Sequence, residues 1–246
     1  LILTSAHLCR NPRVVKEAPT LGAAGYDGTV ISISVQPRFE HLDRELMRGL
    51  PFKRVTIDYT AGTITARLTD FLQRGATWAA RQLLARIGWE TAQALGPAGA
   101  LLRRARRFPS DLLIAHTEIP LWAAQRLIAD GRRVAVDLED WYSQDLLPDD
   151  RRSRPLRLLR EAESFALHRA AYVSTTSASL ALALTKANGG RPPIVLRNTF
   201  PLQPAPRRTP GSLPRFIWFS QTIGPGRGLE QFLAAWAGTT QRSEVF

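Results

Sequence analysis

The stretch that decides the fold reads Phe216-Ile-Trp-Phe-Ser-Gln-Thr-Ile-Gly-Pro-Gly-Arg-Gly-Leu-Glu230. Its apolar start is typical of a strand, its middle is a loop with three glycines and one arginine, and a helix-like run from Leu229 to Ala237 follows. Glycines let a ligand approach the backbone, and the free N–H groups of a helix N-terminus attract anions. We therefore expect a phosphorylated ligand to bind this loop, at Gly224, Gly226, Arg227 and Gly228.

The spacing of these glycines narrows the choice of ligand. It differs from the dinucleotide pattern G-x-G-x-x-G, so a nicotinamide cofactor is not expected. The loop also lacks the Lys-Ser/Thr pair of a phosphate-binding P-loop. What remains is a strand, a glycine turn and a helix, with the fixed charge of Arg227 suited to a phosphate.

Before this stretch, strand-like and helix-like segments alternate, which predicts an α/β fold with a doubly wound, Rossmann-like parallel sheet. The predicted strands are Leu1–Ser5, Thr29–Val35, Val55–Tyr59, Asp111–Ala115, Arg133–Leu138, Tyr172–Thr175 and Ile194–Leu196. The predicted helices are Val14–Ala24, Pro120–Asp130, Pro155–Arg169 and Ser177–Ala187, and a longer helical region from Arg67 to Phe108 is expected to break near Gly96-Pro97.

Five prolines between Phe200 and Pro214 are typical of a linker. We therefore expect a first Rossmann-like domain at 1–200, a linker at 201–214, and the first strand, glycine loop and helix of an incomplete second Rossmann-like domain at 215–246. The chain begins with Leu1 inside an apolar run, and its end has no tail-like composition. We expect both ends to be cuts through a longer protein.

The net charge and the cysteine content indicate which partners and which cellular compartment to expect. The net charge is +12, and only three of the 33 basic residues are lysines. Such a surplus favours anionic partners, although an arginine-rich proteome would produce it as well. Cys9 is the only cysteine, so no intrachain disulfide can form and a cytoplasmic location is expected. No apolar run approaches the roughly 20 residues of a membrane span, and no signal peptide is visible.

The region from Arg67 to Phe108 mixes tryptophans and leucines with arginines and permits two interpretations. It could form an amphipathic surface for an anionic membrane, placing the protein peripherally at the inner face of the membrane. Alternatively, it could be a helix pair packed on the sheet with its arginines in water. We favour the packed pair, because apolar spacing of this kind is ordinary in globular helices.

Ligands of open parallel sheets bind at the carboxyl ends of the strands, which selects four loops. They are His7–Arg13, His116–Glu118, Asp137–Trp141 and the position of Asn198. We expect the four to line one edge of the first domain and to face the glycine loop across a cleft. Asp137, Glu139 and Asp140 are more acids than a helix cap needs, so a ligand role is expected there.

Each of these side chains also has a structural alternative. Asn11 and Arg13 could simply begin a helix, Asn198 could form a turn, and His116 could be a satisfied histidine beneath a loop. The four histidines are scattered along the sequence, and no metal-ligand spacing or nucleophilic triad is visible. A metal site or a covalent nucleophile is therefore not expected.

Taken together, the segments resemble the GT-B glycosyltransferases of the large retaining group, family 4-like, that use nucleotide sugars. The likeness rests on short motifs spread over nearly the whole chain: Asn11–Ala18 with Leu21–Tyr26, Asp111–Glu118, Glu161–Ser177, Val195–Asn198 and Phe216–Leu229. The chain departs from the family at Glu139, where a donor-contacting histidine is common, and in the run Ser220–Ile223, where a second basic residue is often found.

The resemblance implies roles for individual residues. Arg227, with Gly224, Gly226, Gly228 and Asn198, would bind the donor, and the positive charge of Arg227 would hold its diphosphate. Asn11 and Arg13 would lie in the loop that faces donor and acceptor, and Glu139, Asp140 and His116 would form the catalytic corner. The family needs no metal, cofactor or protein nucleophile. Its later paired-glutamate element, which grips nucleotide and sugar, would lie beyond Phe246.

The sequence thus predicts transfer of a sugar, with retention, from a nucleotide sugar to a glycan, lipid-linked or small-molecule acceptor, in a pathway such as polysaccharide biosynthesis. We expect this chain alone to be weak or inactive. The alternatives are a non-catalytic scaffold of the same fold in envelope polysaccharide synthesis, an epimerase acting on nucleotide sugars, and a nucleic-acid binder. The last is not expected, because the basic residues are spread and no nucleic-acid-binding motif is present.

Overall fold

The computed structural model describes residues 1–48, 50–146, 151–204, 215–220, 226–239 and 244–245. It divides the chain into two compact units, Leu1–Asn198 and Thr199–Phe246. From position 205 onward, the predicted linker lies outside the described residues.

The first unit is built on a seven-stranded sheet. Its strands are β1 (Ile2–Thr4), β2 (Thr29–Ser34), β3 (Lys53–Asp58), β4 (Leu113–His116), β5 (Val134–Leu138), β6 (Val173–Thr175) and β7 (Ile194–Val195). All seven run parallel in the order β3-β2-β1-β4-β5-β6-β7. The order reverses between β1 and β4, which is where doubly wound sheets bind ligands. The predicted α/β, Rossmann-like fold class is confirmed.

Helices connect these strands and cover both faces of the sheet. They are α1 (Pro12–Ala23), α2 (Pro37–Met47), α3 (Ile64–Ile87), α4 (Ala98–Arg106), α5 (Glu118–Ala129), α6 (Leu156–Arg169) and α7 (Ala178–Asn188), with short 3-10 helices at Leu8–Arg10 and Ala92–Leu95. Within the described residues, no helix combines the length and the apolar character that crossing a bilayer requires.

Neighbouring residues of each strand pack to opposite faces, as the pleat of a sheet requires. Ile2 joins Val14 of α1 in one core cluster. Leu3 joins Leu101 of α4 and Leu121 of α5 in the other, larger cluster. Both faces are thus apolar, which is why the central strands read as continuous hydrophobic runs.

The second unit is described through β8 (Arg215–Phe216), α8 (Leu229–Ala237) and β9 (Glu244–Val245), with β8 and β9 pairing in parallel. The ring of Phe232 lies 5.8 Å from that of Phe216 and 6.4 Å from that of Trp236, so α8 packs against Phe216 of β8. Strand β8 precedes the glycine loop in sequence, and α8 follows it.

The expected break near Gly96-Pro97 is present, because these two residues separate the 3-10 helix Ala92–Leu95 from α4. The helical region also breaks earlier: α3 ends at Ile87, because Gly88 adopts a left-handed conformation with φ of +69° and terminates the helix. Helix α2 was not predicted at all. Its polar composition hides the apolar period, and only Pro37 in its first turn signals a start.

We predict that Gly190→Ala destabilises the first unit more than Gly131→Ala. Both glycines have φ of +81°, but a Cβ at Gly190 would lie 2.8 Å from the carbonyl oxygen of Leu167, whereas Gly131 faces open space. The strained backbone costs about 1–2 kcal/mol in both variants, and the clash adds to that cost at Gly190 alone. Urea unfolding measures the difference, and equal losses would contradict it.

Candidate functional site

The carboxyl ends of the central strands meet at a buried ion pair between Arg13 and Asp137. Arg13, in the first turn of α1, donates from Nε and Nη2 to the two carboxylate oxygens of Asp137 in β5, both at 2.6 Å. The side chains are only 9% and 1% exposed. Arg13 Nη1 also donates to the carbonyl oxygen of Leu196, at 2.9 Å, so one guanidinium ties α1 to two strand ends.

His116, the last residue of β4, lies beside this pair and is surrounded by carboxylates. Its Nε2 is 2.6 Å from Glu17 Oε2 of α1. Its Nδ1 is 3.2 Å from an oxygen of Asp137 and 3.2 Å from one of Glu139. Since both ring nitrogens face acceptors, the imidazole is held as a donor on both sides.

Hydrogen bonds and opposite charges in this cluster stabilise the charged forms of His116 and Asp137. Burial by itself would lower the pKa of His116, but hydrogen bonds to Asp137, Glu139 and Glu17 outweigh it and raise this pKa well above the usual 6.5. Burial by itself would raise the pKa of Asp137, but His116 and Arg13 lower it to about 2. With carboxylates at both ring nitrogens, His116 is held as an imidazolium, a form that cannot accept a proton as a general base.

The other predicted catalytic carboxylates lie at the rim of this cluster. Glu139 is half-buried, accepts from His116, and has its backbone oxygen bonded by Thr176 Oγ1 at 3.2 Å. Asp140 is exposed on the outer side, and partial burial together with the charge of Glu139 raises its pKa. The structure thus brings His116 and Glu139 into contact, with Asp140 next to them in sequence.

Asn11 and Asn198, which were predicted to face the donor or the acceptor, make hydrogen bonds within the first unit. Asn11 is buried and caps α1: its Oδ1 accepts from the backbone N of Val14 at 3.2 Å, and its Nδ2 donates to Thr4 Oγ1 at 3.2 Å. Asn198 is exposed beyond β7, and its Oδ1 accepts from Lys16 Nζ at 2.5 Å. The contacts of Asn11 are those of a helix N-cap, and the contact of Asn198 links the segment after β7 to α1.

The glycine loop lies in the second unit. Gly224 falls outside the described residues. Gly226 and Gly228 have φ of +77° and +81°, values that glycine adopts without strain, and Gly228 is the N-cap of α8. Arg227 is exposed between them, and its carbonyl oxygen accepts from the indole Nε1 of Trp218 at 3.3 Å. The turn therefore leaves the Arg227 guanidinium in solvent at a helix N-terminus.

A second buried charged cluster, which sequence reasoning missed, fixes the loop after β1. His7 Nδ1 donates to Asp43 of α2 at 3.0 Å, and its Nε2 accepts from the backbone N of Val35 at 3.2 Å. Arg54 of β3 donates to Asp43 and to Glu40, both at 2.9 Å. These contacts hold His7 away from Arg13 and divide the predicted His7–Arg13 loop between two clusters.

Both clusters have the composition of a metal site within the described residues: His116, Asp137 and Glu139 in one, and His7, Glu40 and Asp43 in the other. In each, however, a guanidinium already lies on the carboxylates, Arg13 on Asp137 and Arg54 on Asp43. The donor oxygens that a cation would need are therefore engaged in charge-assisted hydrogen bonds.

Two partners in the site were not assigned from the sequence. Glu17 lies one helical turn after Arg13 on α1, so the i,i+4 spacing could have placed it on the same face. Ser174 of β6 donates to Asp137 at 2.6 Å. Its position on the strand next to β5 could have been read only after the strand order was known.

Compared by sequence, the chain matches no protein-family model and none of the curated proteins. Compared by structure, it is similar to LpCGTa in complex with UDP, with a TM-score of 0.51 and 15% identity over 98% of this chain and 64% of that one. It is also similar to Arabidopsis thaliana UGT89C1 complexed with UDP-L-rhamnose, with a TM-score of 0.53 and 14% identity over 99% of this chain and 64% of that one.

At this identity the likeness establishes the fold alone, an α/β fold that this chain shares with both structures. The chain spans 64% of the length of these two solved structures. The retaining, family 4-like assignment stays an expectation from sequence motifs.

We predict that Arg13→Met costs far more stability than Arg106→Met. Removing Arg13 leaves the buried Asp137 carboxylate without its main partner, a loss of about 3–5 kcal/mol. Arg106 also pairs with an aspartate, Asp130, at 2.7 Å, but its side chain is 47% exposed, and exposed pairs contribute little to stability because solvent screens them. Urea unfolding of the three proteins measures both losses. Similar losses would mean that Asp137 does not depend on Arg13.

We predict that His116 makes stability fall as the pH rises. Its pKa is raised in the folded state, so its contribution is complete below the unfolded pKa of 6.5 and is lost as the pH rises through the folded pKa. The free energy of unfolding should therefore fall above pH 6.5 by up to about 1.4 kcal/mol per pH unit.

The measurement is a series of urea titrations from pH 6 to pH 9 on the wild type and on His116→Gln. His41→Gln, at a mostly exposed histidine, is the matched control and should keep the wild-type slope. If His116→Gln also keeps that slope, His116 does not carry the charge.

Proposed function

We propose that the protein is a glycosyltransferase that transfers a sugar from a nucleotide-sugar donor to a glycan or lipid-linked acceptor. One observation carries the proposal: nearly the whole chain shares its fold with two proteins whose structures hold UDP or UDP-L-rhamnose. Because the chain spans 64% of their length, the activity is proposed for the whole protein.

The chemistry requires that the leaving diphosphate be stabilised while negative charge builds on it. In this proposal Gly224, Gly226 and Gly228 let the diphosphate approach the backbone, and the exposed guanidinium of Arg227 supplies the positive charge. The N-terminus of α8 adds its partial positive charge. In this proposal these protein groups stabilise the diphosphate without a metal ion.

The Asp137 cluster would serve the sugar side of the reaction. Glu139 and Asp140 lie at the rim, where their carboxylates can accept hydrogen bonds from sugar hydroxyls. His116 is committed to donation, so in this proposal it positions Glu139 and does not remove a proton from the acceptor. Retention is proposed from the resemblance alone: the family that the motifs resemble transfers sugars with retention and needs no protein nucleophile.

A non-catalytic scaffold of the same fold is the second candidate. The observation that favours it is Glu139, which stands where the resembled family often has a donor-contacting histidine. Such a protein would bind nucleotide diphosphates without turning over a nucleotide sugar.

We predict that Arg227→Ala in the whole protein lowers kcat for sugar transfer by about 100- to 1000-fold. Release of nucleoside diphosphate from a panel of nucleotide sugars measures the rate, and NMR of the product reports whether the anomeric configuration is retained. Arg157→Ala, at an exposed arginine of α6, is the control and should keep full activity.

Calorimetry with UDP completes the test. Binding of UDP without turnover of any nucleotide sugar would support the scaffold instead. No binding of any nucleotide, or equal rates for Arg227→Ala and the wild type, would contradict the proposed function.

A further inference from the structure

The outer side of α3 carries a row of large apolar side chains. Ile64, Leu68, Phe71, Leu72 and Trp78 are between 57% and 85% exposed. Four of them recur at positions 64, 68, 71 and 78, a spacing that places them on one stripe of a helix. A contiguous exposed stripe of this kind marks an interaction surface, whereas scattered apolar residues do not.

The packed side of α3 is small, and most of its large apolar residues lie on the outer side. Only Ala80 and Leu84 are buried on it, where they pack with Ala94. The side toward the 3-10 helix carries polar contacts: Thr77 Oγ1 accepts from Gln73 Nε2 at 3.1 Å and from Gln93 Nε2 at 3.3 Å. With hydrogen-bonded side chains inside and the large apolar ones outside, α3 is suited to surroundings that are themselves apolar.

Positive charge runs beside the apolar stripe. Arg67, Arg74 and Arg81 follow one another at intervals of seven residues, which keeps them in one row along the helix. Arg67 and Arg74 carry the outward charge of this row, because Arg81 is half-buried and donates from Nε to the carbonyl oxygen of Ala94 at 2.9 Å. Asp70 is the only acid on α3, and it pairs with Arg74 at 2.8 Å. Trp78, in the C-terminal half of α3, is 64% exposed, and Trp89, two residues beyond the end of the helix, is 61% exposed. Tryptophan is enriched where a membrane meets water.

We propose that this face of α3 docks on a lipid bilayer that contains anionic headgroups. The helix would lie in the plane of the interface, with the apolar stripe in the acyl boundary and the arginine row among the phosphates. Its 24 residues would extend over about 36 Å of membrane surface. The proposal does not depend on sugar transfer, because it rests on α3 alone.

The charge on α3 favours this occupant over a second copy of the chain. Two copies that met through α3 would bring the same arginine row together, and Asp70 alone could not balance it. Like charges across an interface oppose association. An anionic bilayer supplies the opposite charge and the apolar surface at once.

Flotation of the purified chain with lipid vesicles tests the proposal. The chain should float with phosphatidylcholine vesicles that contain phosphatidylglycerol, should bind pure phosphatidylcholine far less, and should be released by high salt. Phe71→Glu with Trp78→Glu should weaken binding at least about tenfold, since the affinity follows the buried apolar area. Arg67→Gln with Arg74→Gln should weaken it about fivefold for each arginine.

Matched variants on other helices test whether vesicle binding depends on this face of α3 or on the general charge and hydrophobicity of the protein surface. Leu182→Glu changes an apolar residue that is 71% exposed on α7, and Arg157→Gln with Arg160→Gln removes two exposed arginines of α6. Both variants keep the apolar stripe of α3, so each should lower the affinity for anionic vesicles by less than the α3 variants do.

Three results would overturn the proposal. The first is failure of the folded wild type to float with anionic vesicles. The second is equal flotation of the Phe71/Trp78 double variant and the wild type. The third is a concentration-dependent dimer in analytical ultracentrifugation that the same double variant abolishes, with no vesicle binding. Circular dichroism of each variant confirms that the comparison is made on folded protein.

Discussion

The carboxylate of Asp137 is the constraint on which the first unit depends. It is 1% exposed and receives hydrogen bonds from α1 through Arg13, from β4 through His116 and from β6 through Ser174. A buried carboxylate is costly unless it is paired and fully hydrogen-bonded. Its partners come from different elements. A misplaced partner would leave the buried carboxylate without a hydrogen bond, so each of these elements is held in position at the strand ends.

This constraint also shapes what the site can do chemically. The raised pKa of His116 and the lowered pKa of Asp137 follow from the same contacts, so the edge of the sheet carries fixed charges of both signs. Fixed charges need no reorganisation when charge develops in a ligand. The rim carboxylate of Glu139 accepts a hydrogen bond from His116, which fixes its orientation.

The fold was largely predictable, since alternating apolar segments identify a parallel sheet and the strand ends identify its functional edge. The Asp137 loop and His116 were correctly expected to lie there, and the structure places them in contact. The pairing was not predictable: Arg13 was expected to face a ligand, yet it is turned onto Asp137. A sequence specifies which residues reach an edge, whereas their partners depend on strand order and side-chain geometry.

The largest departures from expectation have the same origin. Helix α2 and its cluster with His7 are polar, so no hydrophobic period revealed them. For α3, the period was visible, but periodicity identifies an apolar face without saying what covers it. The interpretation as a packed helix pair holds for α4, whose Leu101 lies in the main core, and fails for the outer stripe of α3.

The central claim is most directly tested by NMR of the His116 side chain with nitrogen-15 labelling. If the carboxylates of Glu17, Asp137 and Glu139 hold an imidazolium, both ring nitrogens of His116 will still show protonated shifts well above pH 6.5. A His116 ring that loses a proton near or below pH 6.5 would contradict the account.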